Sequence, residues 1–278
     1  MIEFWLALQT NPFLSTALFA GLAAAFASGI VGPYVVAKRV VFISGSISHA
    51  VLGGIGLFVF LNYLTGLAFF SPLMGSLVSA IFFAFIIGGS HLYYKEREDT
   101  VIAAIWSFGM AVGVILIAVV PNTNTQLMDF LFGNLLWASM DDVKMLLLLD
   151  VFVVIVCFIF HKRFLAISFD ETQAYLQKQP VTFIYFILLT LVAITVVLMI
   201  QTIGAILVIA MLCLPAAIAN LFTKKLSKMI CLSVSLSLLF TLIGIYLSYT
   251  FNWPPGATIA LTTSLIYFLS LPLKNRSL

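Results

Sequence analysis

Nine apolar runs, each close to the length a helix needs to cross hydrocarbon, follow one another along 278 residues with short polar breaks between them. A crossing helix takes about 20 mainly apolar residues. In lipid, every backbone polar group must find its partner inside the protein. A chain written this way has few alternatives to a bundle of spanning helices. We place the runs at 13–36, 44–63, 72–94, 101–120, 144–160, 181–200, 203–222, 230–251 and 256–272. The chain is 63% hydrophobic and 8% charged, with a mean hydropathy of +1.20; a domain folded in water carries roughly 25% charged residues. The expected fold class is all-α, a polytopic transmembrane helical bundle of about nine spans. It forms a single transmembrane domain over residues 1–278.

The breaks carry the orientation. Lys38 and Arg39 follow the first run, Lys95 and Arg97 the third, and Lys162 and Arg163 the fifth. Lys224, Lys225 and Lys228 follow the seventh, and Lys274 and Arg276 the ninth. With the amino terminus outside and the carboxyl terminus cytoplasmic, all of these face the cytoplasm and only Lys144 lies outside, as the positive-inside rule requires. The sixth and seventh runs are separated only by Gln201-Thr202, which predicts a tight turn or a broken helix. The stretch from Leu127 to Ser139 is too short to cross and is expected at the interface or dipping back in. Glu3 and the absence of Lys and Arg in the first twelve residues argue against a cleaved leader with a basic start.

Several function classes are excluded by what the sequence lacks. It contains no phosphate-binding loop ending in Lys-Ser/Thr, no His-Glu-x-x-His and no Gly-x-Ser-x-Gly. No break is long enough for a nucleotide-binding domain, so any ATP-driven step needs a motor on another chain. No nucleic-acid-binding surface is expected. Cys157, Cys213 and Cys231 sit in apolar runs without metal-like spacing and read as reduced, packed thiols.

An ionisable side chain is expensive inside a bilayer and marks a candidate substrate path. His49 is the foremost one. On a helix it shares a face with Gly45 and Gly53, with Ser46, Ala50 and Gly56 at the margins. Small residues there let another helix, or a hydrated ion, approach closely. An imidazole also suits transition metals, so a packing seam and an ion path both stay open. Asp150, in the fifth run, is the second candidate: it either draws cations inward or reaches back to the interface or a polar partner. Asp129, Asp141 and Asp142 read as solvated helix ends of the outer face, and His91 and His161 as interfacial. Met110, Met199 and Met211 read as packing. Pro215 should kink or stop the seventh run. The small-residue stretch after it, Ala216, Ala217 and Ala219 leading to Lys224 and Lys225, fits either a docking helix or an ordinary kinked span.

Five blocks in order resemble the membrane permease of bacterial ABC importers for zinc, manganese or iron. They are Gly32-x-Tyr34-Val35-Val36 with Arg39 before Ser48-His49-Ala50; Asp99-Thr100 followed by Gly113; Leu131-Phe132-Gly133-Asn134-Leu135-Leu136 with Asp142; Asp170-Glu171 with Ala174; and Gly204-Ala205 through Leu214-Pro215-Ala216-Ala217-x-Ala219. The resemblance implies a multi-pass protein of the bacterial inner membrane that is not itself an enzyme. It implies a divalent metal ion as cargo and no cofactor bound by this chain. The implied partners are a cytoplasmic ATP-binding cassette subunit, an extracytoplasmic metal-binding protein and a second identical or homologous permease. It places His49 on the metal path and Pro215, Ala216, Ala217, Ala219, Lys224 and Lys225 against the ATPase. The sequence departs from the family pattern at three acids: Gly45 stands where an Asp precedes the histidine by one turn, and Gln126 and Asn134 stand where acids flank the Leu-Phe-Gly block. The competing class is an ion-gradient-driven secondary transporter of a small cation, for which Asp150 is the one carboxylate in a span interior. A membrane-embedded enzyme would need paired catalytic groups at depth, and none is present.

Overall fold

The computed structural model describes residues 2–67, 69–94, 98–121, 133, 135–223 and 225–272. Among them there is no strand. The helices are α1 (Ile2–Thr10), α2 (Pro12–Ala37), α3 (Val41–Thr65), α4 (Pro72–Gly89), α5 (Glu98–Val119), α6 (Met140–Phe169), α7 (Glu171–Leu176), α8 (Val181–Ile203), α9 (Ala205–Phe222), α10 (Leu226–Phe251) and α11 (Pro255–Ser270). A π-helical turn over Ser90–Tyr94 extends α4, and Leu135–Trp137 forms a single 3-10 turn. Among the described residues, eight helices are long and apolar enough to cross a membrane.

Local chemistry sets the ends. Asn11 caps α2 by accepting from Phe13 N at 3.0 Å, and Pro12 occupies the first turn, where no N–H is missed. Ser71 and Pro72 repeat the device at α4, with Ser71 Oγ accepting from Met74 N at 3.3 Å. Gly66 closes α3 and Asn252 closes α10 in the left-handed conformation.

Three expectations from the sequence change in detail. α11 has 16 residues, about 24 Å at roughly 1.5 Å per residue, so the ninth apolar run is shorter than a full crossing. α6 has 30 residues and continues through His161, Lys162 and Arg163 to Phe169, well past the run at 144–160. Lys and Arg favour helix and reach out of it on long stems, so charge ends the apolar run without ending the helix. Pro215 does not stop α9 either, which runs on to Phe222. A single residue, Gly204, separates α8 from α9. Its φ of 81° and ψ of 157° lie where essentially only glycine goes. Its N–H still donates to the Ile200 carbonyl at 2.9 Å, and its carbonyl accepts from Val208 N at 3.1 Å. The chain therefore changes direction there without orphaning that residue's backbone groups, giving the broken helix that the short spacing predicts.

The chain divides into two compact units, one of residues 1–39, 131–159 and 198–278, the other of 40–130 and 160–197. In the first, α2 is the inner helix. It meets α10 at Gly29 and Val234, and α9 at Gly32, where a Cβ would overlap the Leu212 carbonyl oxygen. Tyr34 of α2 is hydrogen-bonded to Cys157 of α6. In the second, α3 lies between α4 and α5. Gly54 meets Ser79 and Gly75 of α4 on one side, and Gly53 and Gly56 meet α5 on the other.

Candidate functional site

The site is built from α3 and α5 of the second unit. Ser46 Oγ donates to the Ile102 carbonyl at 3.0 Å. About two and three turns further along, a Cβ on Gly53 would stand 2.8 Å from the Gly109 carbonyl oxygen, and one on Gly56 2.8 Å from that of Gly113. The pairings ascend together, so α3 and α5 run parallel. Gly109-x-x-x-Gly113 is the small-residue spacing that lets spanning helices touch backbone to backbone. Of the two uses open to the glycine face, Gly53 and Gly56 serve the seam, and the backbone of α5 fills the space there.

His49 sits one turn before that seam. Its ring stacks on Trp106 of α5, centroids 4.4 Å apart and planes 9° apart. The Trp106 Nε1–H donates to Met110 Sδ at 3.1 Å. His49 is half-buried, and its Nδ1 is buried without a hydrogen-bond partner. Gly45, on the same face one turn earlier, is buried and offers no side chain. Among the described residues no group of three His, Cys, Asp or Glu side chains comes together as a metal cluster. What the arrangement offers chemically is one imidazole, sterically fixed, at the edge of a tight helix pair. Sequence reasoning found His49 but not Trp106, and it assigned Met110 to packing. The signal for Trp106 was present, as an amphipathic aromatic well inside an apolar run with a thioether four residues on.

Asp150 lies in the first unit, 7% exposed, against α2 at Ala27, and its Oδ1 has no hydrogen-bond partner. Of the uses open to it, pairing with a polar group is met in part, by a hydrogen bond with the Ala27 backbone. The other acids behave as helix-end residues. Asp142 Oδ2 accepts from Ser139 N at 2.8 Å and from Ser139 Oγ at 2.7 Å, which caps α6. Asp141 pairs with Lys144 at 2.8 Å in the open. Asp129, Gln126 and most of the 127–139 stretch lie outside the described residues. Met199 and Met211 are buried. His91 lies 3.4 Å from Glu171 and 5.2 Å from the Tyr185 ring, which ties the π-helical turn to the start of α7.

The stretch assigned to ATPase contact is mostly occupied within the chain. Pro215, Ala216 and Ala219 are buried, and Ala216 packs beside Gly32 of α2. Ala217 is half-buried, while Asn220, Phe222 and Lys225 are exposed. Lys224 lies outside the described residues. Small residues served a close helix crossing there, so the surface that remains free is the end of α9. The sequence reading missed a second surface. Asp170 caps α7 by accepting from Gln173 N at 3.0 Å, Ala174 is buried as its anchor, and Tyr175 and Leu176 stand 73% and 75% exposed. Tyr175 and Leu176 thus form an exposed apolar pair on a short helix between spans.

Comparison with known proteins agrees with this architecture. A membrane protein of Chlamydia pneumoniae named "probable metal transport system membrane protein" is 47% identical over 257 residues, covering 92% of this chain and 87% of that protein. A manganese transport system membrane protein of Listeria innocua is 35% identical, over 95% and 91% of the two chains. Among solved structures, PsaBC from Streptococcus pneumoniae, in complex with a Fab, superposes with a TM-score of 0.83 at 32% identity, over 97% of this chain and 95% of that one. The description of the ABC 3 transport family matches residues 10–274. On that match, spanning nearly the whole chain, the protein belongs to the ABC 3 transport family and is a multi-pass membrane permease.

Proposed function

We propose that this chain is the membrane-spanning subunit of an ATP-driven importer for a divalent transition-metal ion in the bacterial inner membrane, with its amino terminus outside. Relatives named for metal and manganese transport support the cargo class. The observation that carries the reading is His49, a half-buried imidazole with an unpartnered ring nitrogen within a span. A separate cytoplasmic ATPase drives alternating access, docking on the Tyr175-Leu176 tip of α7 and on the exposed end of α9 at Phe222 and Lys225. An extracytoplasmic binding protein delivers the ion, and a second permease copy or a homologue completes the membrane part. The test is His49→Ala in the assembled complex. Uptake of the cognate ion is abolished while the ATPase still co-purifies; normal uptake overturns the role of His49.

Asp150, a buried carboxyl whose Oδ1 has no partner, favours a second reading, ion-gradient coupling by the chain alone. Uptake into proteoliposomes holding only this chain, without ATP, would decide for it.

A further inference from the structure

We infer that Trp106 is a positioning residue of the ion path, fixing the ring of His49 in place of the hydrogen bond such a ligand normally makes. The inference rests on the reading of His49 given above. A metal-ligating histidine usually donates its second ring N–H to a carboxylate or carbonyl, which sets the orientation and tautomer of the ring. His49 lacks that device: its Nδ1 is buried with no partner. The parallel indole at 4.4 Å and 9° supplies the missing constraint. Such a stack covers one face of the imidazole and resists its rotation. The indole lies over the ring and not in its plane, where the nitrogen lone pair points.

The indole is itself held. Its N–H donates to Met110 Sδ, one turn on in α5, and Gly109, the residue before Met110, locks α5 against Ala50 of α3. Ring, indole and thioether form one chain of contacts anchored by the glycine seam. Loss of a link loosens the ligand without removing it. A loosened ligand discriminates poorly between ions of different size and preferred geometry. Trp106 thus acts on selectivity through His49.

The test uses cells carrying the complete transporter and manganous, zinc or ferrous ion supplied singly. Trp106→Ala lowers uptake of the preferred ion by about tenfold, the scale on which orienting partners of metal ligands act. It lowers the less favoured ions by less, so the preference flattens. Trp106→Phe keeps a stacking face and retains the preference. An equal loss for all three ions in Trp106→Ala, or no loss, overturns the inference. A second measurement does not depend on how that variant folds. With Trp5, Trp137 and Trp253 replaced by Phe, manganous ion alone quenches the emission of Trp106 in the purified complex, and the quenching vanishes on adding His49→Ala. Met110→Leu shifts the quenching midpoint to higher ion concentration. Absence of quenching, or quenching indifferent to His49, overturns it. If His49→Ala leaves uptake normal, the reading of the path fails; if it abolishes uptake while Trp106→Ala changes nothing, only this inference fails.

Discussion

Adding one methyl group at Gly109 should separate the two helices that carry the site. A Cβ there would stand 2.5 Å from Ala50 Cα, 2.6 Å from its carbonyl oxygen and 2.9 Å from its carbonyl carbon. Non-bonded carbons rest at about 3.5–4.0 Å, so the axes of α3 and α5 must part by about 1 Å. No side chain can swing aside, because every obstructing atom is backbone. α3 cannot retreat freely, since Gly54 already touches Gly75 and Ser79 of α4. Forced separation of this kind costs about 1–3 kcal/mol. In lipid, packing contacts are what hold spanning helices together, so the lost contact is not offset by a hydrophobic term. Alanine returns about 0.5–1 kcal/mol as the better helix former. The expected net loss for Gly109→Ala is therefore about 1–2 kcal/mol, read as a shift in the denaturation midpoint of the purified chain in detergent. Gly89→Ala is the control. A Cβ there meets only Tyr93 Cδ2, at 4.0 Å, so the propensity gain stands alone and the variant should be slightly stabilised. Equal or higher stability of Gly109→Ala would refute the seam.

Other consequences follow from single positions. Gly204→Ala forces a Cβ into a backbone region that costs of order 1–3 kcal/mol, and it should lower the same midpoint; an unchanged midpoint would mean that α8 and α9 are not broken there. Asp150→Leu removes a buried oxygen without a partner together with one hydrogen bond to the Ala27 backbone, so the two effects offset and stability should stay within about 1 kcal/mol. A clear loss would reveal a partner that Asp150 depends on. Tyr175→Asp with Leu176→Asp alters exposed residues and should change stability by no more than about 0.5 kcal/mol each, while the yield of co-purified ATPase falls. An undiminished yield would remove α7 from the docking surface. Charge reversal at Lys224 and Lys225 is expected to weaken the same association, and full recovery of the ATPase would count against the end of α9.

Much of the helical layout was legible because lipid leaves so few options. A run of about 20 apolar residues can hide its backbone only as a helix, so the runs ending at Ala37, Thr65 and Phe251 were found within a few residues. The lower limit of legibility shows at α6. The apolar signal ends near Phe160, whereas the helix ends at Phe169, because lysine and arginine are compatible with both. For the site, His49 stood out by the expense of an imidazole in a span. Its neighbour did not, because a glycine face tells that something approaches without telling what. Gly53 serves a hydrated ion and a helix backbone equally well on paper. Only the register of α3 against α5 shows that Gly109 fills the place and that Trp106 falls opposite His49. Pro215, Ala216 and Ala219 have the same ambiguity, and there too the space went to a neighbouring helix of the same chain.

Gly45, standing one turn before His49 where the family pattern has an Asp, has a physical reading under the proposed function. A permeation site must bind well enough to admit its ion and weakly enough to release it. An Asp and a His one turn apart would offer a divalent ion two ligands and a negative charge in a medium of low dielectric, where Coulomb attraction is strong. With Gly45 in that position, the ion exchanges one water for one imidazole and keeps most of its hydration. Such a site holds its cargo loosely and depends on geometry for whatever discrimination it has. That places unusual weight on how firmly the single ring is held, and among the described residues the indole of Trp106 and the glycine seam behind it hold it. Restoring the acid as Gly45→Asp should then tighten ion binding, seen as manganous quenching of Trp106 at lower concentration. It should slow release, seen as a lower maximal uptake rate. If binding and rate rise together, the loosely held ion is the wrong picture.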